Sequence, residues 1–202
     1  IGSEVYYGAQ WNKAALHLHP LKYALGLAKA ALDAGVTIYE NSRVQSYSGT
    51  PVIVKTGQGQ VTASELILAC NGYIEDLEPK INGYIMPINN FVLATEPLSP
   101  EILASVVPKD TSMGDSRFVV NYWKLSGDNR LIFGGGENYR RGFPSDIKGF
   151  VQKYMLQVYP QLSDTQIDYG WGGTLAITMN RLPHFGRING NIWHLQGYSG
   201  HG

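Results

Sequence analysis

The sequence predicts a mixed fold, α/β in its first part and α+β in its middle, and three observations carry that expectation. A helical stretch near the start sits between two strand-like stretches, half of a βαβ arrangement. From residue 84 the pattern changes to long, aromatic-rich strands joined by turns, with two helical segments among them. The final segment, residues 169–202, reads as three strands and then Gly197-Tyr198-Ser199-Gly200-His201-Gly202. Three glycines in those six residues let a backbone approach a ligand closely. Such a loop commonly opens a helix whose N–H groups face an anionic or electron-rich group.

Taken in order, residues 3–12 read as a strand bounded by Gly8 and polar residues. A helix over 21–34 follows, with apolar positions at Leu21, Leu25, Ala28 and Leu32. Pro20 suits its first turn and Gly35 its stop, and His17 and His19 cap its entry rather than act as bases. Residues 36–40 read as the next strand. Three short strands come after it, 43–48, 52–56 and 60–63; the last two are joined by Thr56-Gly57-Gln58-Gly59-Gln60. That Gly-x-Gly is turn chemistry rather than a phosphate loop, because no helix follows it. Residues 65–70 are nearly all apolar, as expected of a strand buried on both faces, and they run into an Asn71-Gly72 turn. The carboxyl end of a strand is where open α/β sheets bind ligands.

In the middle block, 88–95, 117–124 and 131–134 read as strands, the last two forming a hairpin through Ser126-Gly127-Asp128-Asn129. Helices are expected over 100–107 and 145–158, the second with Ser145 as N-cap, Asp146 in its first turn and Pro160 beyond its end. The block therefore reads as an antiparallel sheet with helices on one side.

Composition narrows the function classes. At 202 residues the chain is one large domain or two small ones. Sixteen basic and sixteen acidic residues cancel, which argues against nucleic acid or an anionic membrane surface as partner. No apolar run is long enough for a membrane span, and no signal-peptide pattern is present. The single cysteine, Cys70, excludes an internal disulfide and fits a reducing, cytoplasmic setting. No metal site is expected, since His17-x-His19 lacks a partner at ligand spacing, and no nucleophile elbow or paired-cysteine motif supports hydrolase or thiol chemistry.

The final segment resembles a known pattern. Thr178-Met179-Asn180-Arg181-Leu182-Pro183-His184-Phe185-Gly186, a short strand, then the loop of 197–202 is similar to the C-terminal part of FAD-dependent oxidoreductases of the D-amino-acid oxidase, glycine oxidase and sarcosine oxidase family. Trp-Gly-Gly-Thr-Leu-Ala, Gly-Gly-Gly-Glu and Met-Pro-Ile-Asn-Asn are similar to the γ-glutamylputrescine oxidase-like branch. The resemblance covers essentially the whole chain, most strongly 17–44, 66–73 and 169–202. It implies a partial, Rossmann-like FAD-binding domain from 16–78 and 179–202, and a substrate domain from 1–15 and 84–178. The family's strand–Gly-x-Gly-x-x-Gly–helix unit, which seats the pyrophosphate, is absent, so the chain reads as a fragment that by itself binds FAD weakly or not at all and is inactive.

By the same resemblance Val44, Cys70, Asn71, Gly72 and the loop residues Gly197, Tyr198, Ser199, Gly200, His201 and Gly202 lie beside the cofactor. Tyr122, Trp123, Trp171, Leu175, Asn180, Arg181 and His184 are the substrate-pocket candidates; no catalytic side chain is identified. Gly173 stands where some members carry a flavin-linking Cys, which implies non-covalent FAD. Leu175 stands where amino-acid oxidases place an Arg for the substrate carboxylate, which favours a primary or secondary amine without an α-carboxylate. The implied reaction is hydride transfer from the carbon bearing nitrogen to flavin, giving an imine that water hydrolyses, with dioxygen as reoxidant. A flavin-free binding or structural domain of the same fold is the alternative, and a nicotinamide-dependent dehydrogenase a weaker one. The oligomeric state is not legible.

Overall fold

The computed structural model describes residues 2–107, 109, 111–140 and 142–200. It contains helices α1 (Pro20–Asp33), α2 (Pro79–Asn82), α3 (Pro100–Val106) and α4 (Ile147–Val158). The strands are β1 (Val44–Ser48), β2 (Val52–Thr56), β3 (Gln60–Ala63), β4 (Leu66–Leu68), β5 (Met86–Pro97), β6 (Met113–Gly114), β7 (Tyr122–Leu125), β8 (Arg130–Asn138), β9 (Ile167–Ile177), β10 (His184–Asn189) and β11 (Ile192–Gln196).

The largest unit is a five-stranded antiparallel sheet in the order β6-β7-β8-β5-β9. Its register separates two faces, because side chains in one cross-strand row point the same way. The row Trp123–Phe133–Leu93–Gly170 faces α4. There Phe91, Leu93, Trp123, Leu131 and Phe133 pack with Val151, Met155 and Val158 of the helix into the main core. The adjacent row, Tyr122–Gly134–Val92–Trp171, faces the opposite side. Among the described residues, no α-helix packs extensively on that second face. It is the surface on which the site is built.

The remaining strands form two small sheets, β1-β2-β3 and β10-β11-β4, the latter joining β11 to β4 in parallel. Between them lies a smaller core of Val52, Leu68, Ile74, Ile81, Ile85, Ala176 and Ile192. Ala176 belongs to β9, so this core also grips the end of the large sheet.

Most local expectations hold, with physical reasons. Pro20 occupies the first turn of α1 and His19 Nδ1 accepts from Lys22 N–H. At its far end Gly35 takes φ +86°, and Gly35 N–H and Val36 N–H reach back to the Leu32 and Ala31 carbonyls. This double closure satisfies carbonyls that a helix end otherwise leaves open. In the Thr56–Gly59 turn the Thr56 hydroxyl accepts from the Gln58 and Gly59 amides.

Several expectations are corrected. Residues 3–12 form no strand: Gly2 N–H donates to Val106 O, Ser3 Oγ to Val158 O and Tyr6 OH to Asp115, so the segment is pinned to the main core by scattered bonds. Residues 36–40 are likewise not a strand, having no ladder partner among the described residues. The strand expected over 117–124 starts only at Tyr122; before it, the Asp115 carboxylate collects the amides of Arg117 and Asn121 and holds the chain in a loop. Asp146, not Ser145, caps α4, accepting from Gly149 N–H. β4 is not buried on both faces: Leu68 is covered, but Ile67 remains 58% exposed.

Candidate functional site

The site grows from the end of β9. Thr178 follows that strand, and its N–H donates to Ser199 Oγ at 3.3 Å, while Ser199 N–H donates to Ala176 O at 3.0 Å. Gly197 N–H donates to Asn71 Oδ1 at 3.1 Å. The glycine-rich turn is therefore stitched to the strand end on one side and to the Asn71-Gly72 turn on the other. Gly197 is required there twice over. It sits at φ +76°, and a Cβ would lie 2.4 Å from Thr178 Cγ2. Gly72 is needed for close approach alone, since a Cβ would meet Thr174 O at 2.6 Å. Beside it, Tyr73 OH accepts from Thr174 N–H, an edge-strand amide with no neighbouring strand.

Among the described residues, the Tyr198 and Gly200 amides have no acceptor, and the space at Gly200 is open. Two unengaged N–H groups on a turn with left-handed Ser199 and Gly200 suit the electron-rich edge of a flat cofactor. Asn71 and the turn of Gly197, Tyr198, Ser199 and Gly200 thus form one hydrogen-bonded unit, with Gly72 packed against β9, and its free amides suit the implied FAD ring. His201 and Gly202 lie outside the described residues.

Val44 and Cys70 are placed differently. Val44 opens β1 opposite Thr56 in a separate sheet. Cys70 packs against the smaller core, and burial pushes its thiol up from the ordinary range. The Cys70 carbonyl accepts the Tyr73 N–H and so opens the Asn71-Gly72 turn, whereas Val44 lies apart from it.

Of the substrate candidates, Tyr122, Trp171 and Leu175 share the open sheet face, with Gly173 between the last two. The Tyr122 ring lies over Gly134, and its hydroxyl donates to Asn90 Oδ1, while Asn90 Nδ2 donates to Gly136 O. Burial of that hydroxyl end raises its pKa to about 12, so it remains a neutral donor and acceptor near neutrality. Among the described residues, this face carries no cationic side chain between Tyr122 and Leu175; the charged group there is Glu137, opposite Asn90.

Trp123 is a correction. It is 3% exposed, on the α4 face, stacked between Tyr6 and Phe133 and edge-on to Tyr159. Adjacent strand residues point to opposite sides, so Tyr122 and Trp123 cannot line one pocket.

Asn180 and His184 line a cleft of about 280 Å³ with Tyr84, Thr178 and Leu182. Arg181 stands at its rim with φ +59°, stacked on Phe118. His184 stacks on Tyr84 and faces the buried His194, both at 4.5 Å between ring centres. Burial, with His184 as a second cause, holds the His194 pKa below the ordinary range. A larger cleft, about 560 Å³, lies between the hairpin tips at 47–50 and 189–192, but no charged side chain lines it.

Sequence reasoning missed Asn90, Thr178 and Tyr73 as members of the site. For Asn90 the signal was present: Asn89-Asn90 are polar residues inside the otherwise apolar run from Met86 to Ala94. One faces each side, Asn89 bonding Thr174 and the Arg140 carbonyl, Asn90 bonding Tyr122.

Comparison with known proteins adds identity to this geometry. A model of the FAD dependent oxidoreductase family matches residues 2–202. A probable oxidoreductase OrdL of Haemophilus influenzae is 43% identical over 209 residues, covering 100% of this chain and 47% of its own. A gamma-glutamylputrescine oxidoreductase of Escherichia coli is 40% identical over 204 residues, covering 100% and 48%. The chain spans about half the length of these curated relatives. Among solved structures, L-proline dehydrogenase from P. horikoshii superposes with a TM-score of 0.71 at 21% identity, over 91% of this chain and 51% of that one. Glycine oxidase from Geobacillus kaustophilus gives 0.70 at 18%, over 87% and 47%. At those identities the likeness is one of fold. Among the described residues, no helix is long and apolar enough to cross a membrane, and no cluster of three metal-ligating side chains occurs.

Proposed function

The chain belongs to the FAD-dependent oxidoreductase family, and from that premise we propose that the protein carrying it oxidises a primary or secondary amine with no α-carboxylate, of the γ-glutamylputrescine type. The observation that carries this reading is the absence, among the described residues, of a cationic side chain on the open face between Tyr122 and Leu175. Leu175 stands at the end of that face nearest the glycine-rich turn, with Gly173 and Trp171 beside it along β9. A carboxylate placed against Leu175 would lose a two-pronged, charge-assisted pair and its hydration together. Such a loss commonly costs about 3 kcal/mol, roughly a hundredfold in discrimination.

In this reading Asn71, Gly72 and residues 197–200 hold the ring end of FAD, and residues 16–78 and 179–202 act as its domain, with 1–15 and 84–178 as the substrate domain. FAD would supply, when bound, an acceptor for the two electrons of the C–H bond on the carbon bearing nitrogen. Free Tyr198 and Gly200 amides offset negative charge that develops at the ring edge. Gly173 offers no attachment atom, so the cofactor is held without a covalent bond. Tyr122, fixed by Asn90, and Trp171 orient the carbon chain of the amine and exclude water from the face. Arg181 meets a carboxylate at the far end of the substrate.

The similarity to a gamma-glutamylputrescine oxidoreductase supports the substrate class. The test is a panel of turnover numbers on the flavin-loaded protein. An N-acylated diamine is expected to exceed glycine, sarcosine and D-alanine in kcat/KM by on the order of a hundredfold. Faster turnover of D-alanine overturns the substrate class, and a purified protein without flavin absorbance overturns the oxidoreductase reading itself.

A further inference from the structure

Strand β8 does not run evenly beside β5. Val92 stands opposite Gly134, whereas Asn90 stands opposite Glu137, so three steps along β8 answer two along β5. The extra residue makes a β-bulge at Gly135-Gly136. Gly136 takes φ +75° there, and a Cβ on it would lie 2.5 Å from the Tyr154 ring and 2.7 Å from that of Phe150. On the other side Asn90 Nδ2 donates to Gly136 O at 3.2 Å, and the Tyr122 hydroxyl fixes Asn90 in turn. The bulge is therefore held from both faces of the sheet.

Its effect is to decide where Glu137 points. In even register Glu137 would stand opposite Asn89, on the face that packs against α4, because a one-residue shift reverses every side chain. The extra residue turns it over to the open face, into one cross-strand row with Asn90 and Gly173. Gly173 adds no side chain to that row, and of the surrounding groups only the Tyr73 hydroxyl comes within 4 Å of the Cβ it lacks. Tyr122 and Trp171 stand in the row beside it. The carboxylate accepts the Tyr139 hydroxyl, is half-buried, and has no cationic partner among the described residues.

We propose that Glu137 is the specificity-determining residue for the substrate nitrogen: it receives that nitrogen as an ammonium cation on the row it shares with Gly173, and the Gly135-Gly136 bulge aims it there. The proposal rests on the amine-oxidation reading and adds the group that selects the nitrogen end. A simple alkylamine has a pKa near that of lysine, about 10.4, so it arrives protonated near neutrality. An ionised carboxylate has about four acceptor positions; Tyr139 uses one and leaves the others for ammonium N–H groups. The faces of Tyr122 and Trp171 attract the same cation. An anion brought to this row would meet a like charge with no cation to offset it, which adds a repulsive element to the loss already described at Leu175. Left-handed backbone and a broken ladder are costly, and they persist where a side chain has to be aimed.

The probe is tert-butylamine, a cation near neutrality whose nitrogen-bearing carbon has no hydrogen to lose. Its uncharged counterpart is tert-butanol. Each is titrated by calorimetry into the flavin-loaded protein that carries this chain. Glu137→Gln is expected to weaken tert-butylamine by ~10- to 100-fold and to leave tert-butanol within about twofold. Glu137→Asp keeps the charge one methylene short and should recover only part of the loss. In turnover, KM for an oxidisable amine should rise in Glu137→Gln by a similar factor, with kcat changed far less. Equal weakening of amine and alcohol, or an amine affinity unchanged by Glu137→Gln, overturns the anchor. If amines are oxidised with an unaltered KM in Glu137→Gln, the anchor fails and the amine-oxidation reading stands. If the probe binds in a Glu137-dependent way but no amine is oxidised, that reading fails and the cation site stands.

Discussion

Helices α1 and α4 are of similar length and both carry an apolar stripe, yet they end in opposite situations. In α4, Val151, Met155 and Val158 are wholly covered by the large sheet. In α1 no residue is buried, and Leu21, Leu25 and Leu32 are 63%, 61% and 54% exposed. What holds α1 is local: the His19 cap, Pro20, the Gly35 closure and one exposed Lys29–Asp33 pair. An isolated helix of that length is marginal in water, because most helical stability comes from packing. The comparison teaches that a stripe and its caps specify a helix, whereas the cover on the stripe is a separate fact. Ile67, Trp193 and Leu195, on β4 and β11, are uncovered in the same way.

The largest expected effect tests the packed side. Met155→Ala removes a wholly buried side chain between α4 and the sheet, and should cost about 2–5 kcal/mol in urea unfolding. A loss below about 0.5 kcal/mol would mean that the α4 stripe matters no more than that of α1.

Next comes the junction between the two regions. Gly72→Ala drives a methyl group into the Thr174 carbonyl, and a backbone atom cannot step aside as a side-chain tip can. About 1–3 kcal/mol should be lost, with the amide signals of Gly197 and Ser199 shifting in NMR as their anchor moves. Unmoved signals would show that the glycine-rich turn does not depend on the Asn71–Tyr73 segment.

A smaller effect is pH-dependent. The folded state depresses the His194 pKa below the ordinary 6.5, so it binds fewer protons there than the unfolded chain does. Its contribution is complete above that ordinary value and is lost as pH falls through the window beneath it. Melting temperature should therefore drop on going from pH ~7 to ~5, with a shallower slope in His194→Gln. An unchanged slope would assign the acid sensitivity to other groups.

Smallest of all is Leu25→Ser in α1, expected to change the unfolding free energy by no more than about 0.5 kcal/mol. The α1 amides should also exchange with deuterium well before those of α4. Slow exchange in α1, or a large loss on Leu25→Ser, would show that its stripe is covered in solution.

Much of the fold was legible because its signals are local. Pro20 and Gly35 bracket α1, Ser126–Asn129 turns β7 into β8, and strands β2 and β3 begin and end where alternation and turn residues place them. The strands over 3–12 and 36–40 were misread because strand composition cannot say whether a neighbour exists to take the hydrogen bonds. For the site, the motif through Thr178 to Gly186 and the glycines after Gln196 identified which segments matter. It could not tell Tyr122 from Trp123, since one step along a strand reverses the face, and only the register with Gly134 and Phe133 decides which one meets the α4 core.

By itself the sequence determined the family, most of the helices and strands, and the glycine-rich turn, because each depends on residues near one another in the chain. The tertiary structure alone decided that Asn71 meets Gly197, that Thr178 meets Ser199, and that Asn90 fixes Tyr122. Those meetings join residues from 21 to 126 positions apart, and strand register and sheet order, not local propensity, set them.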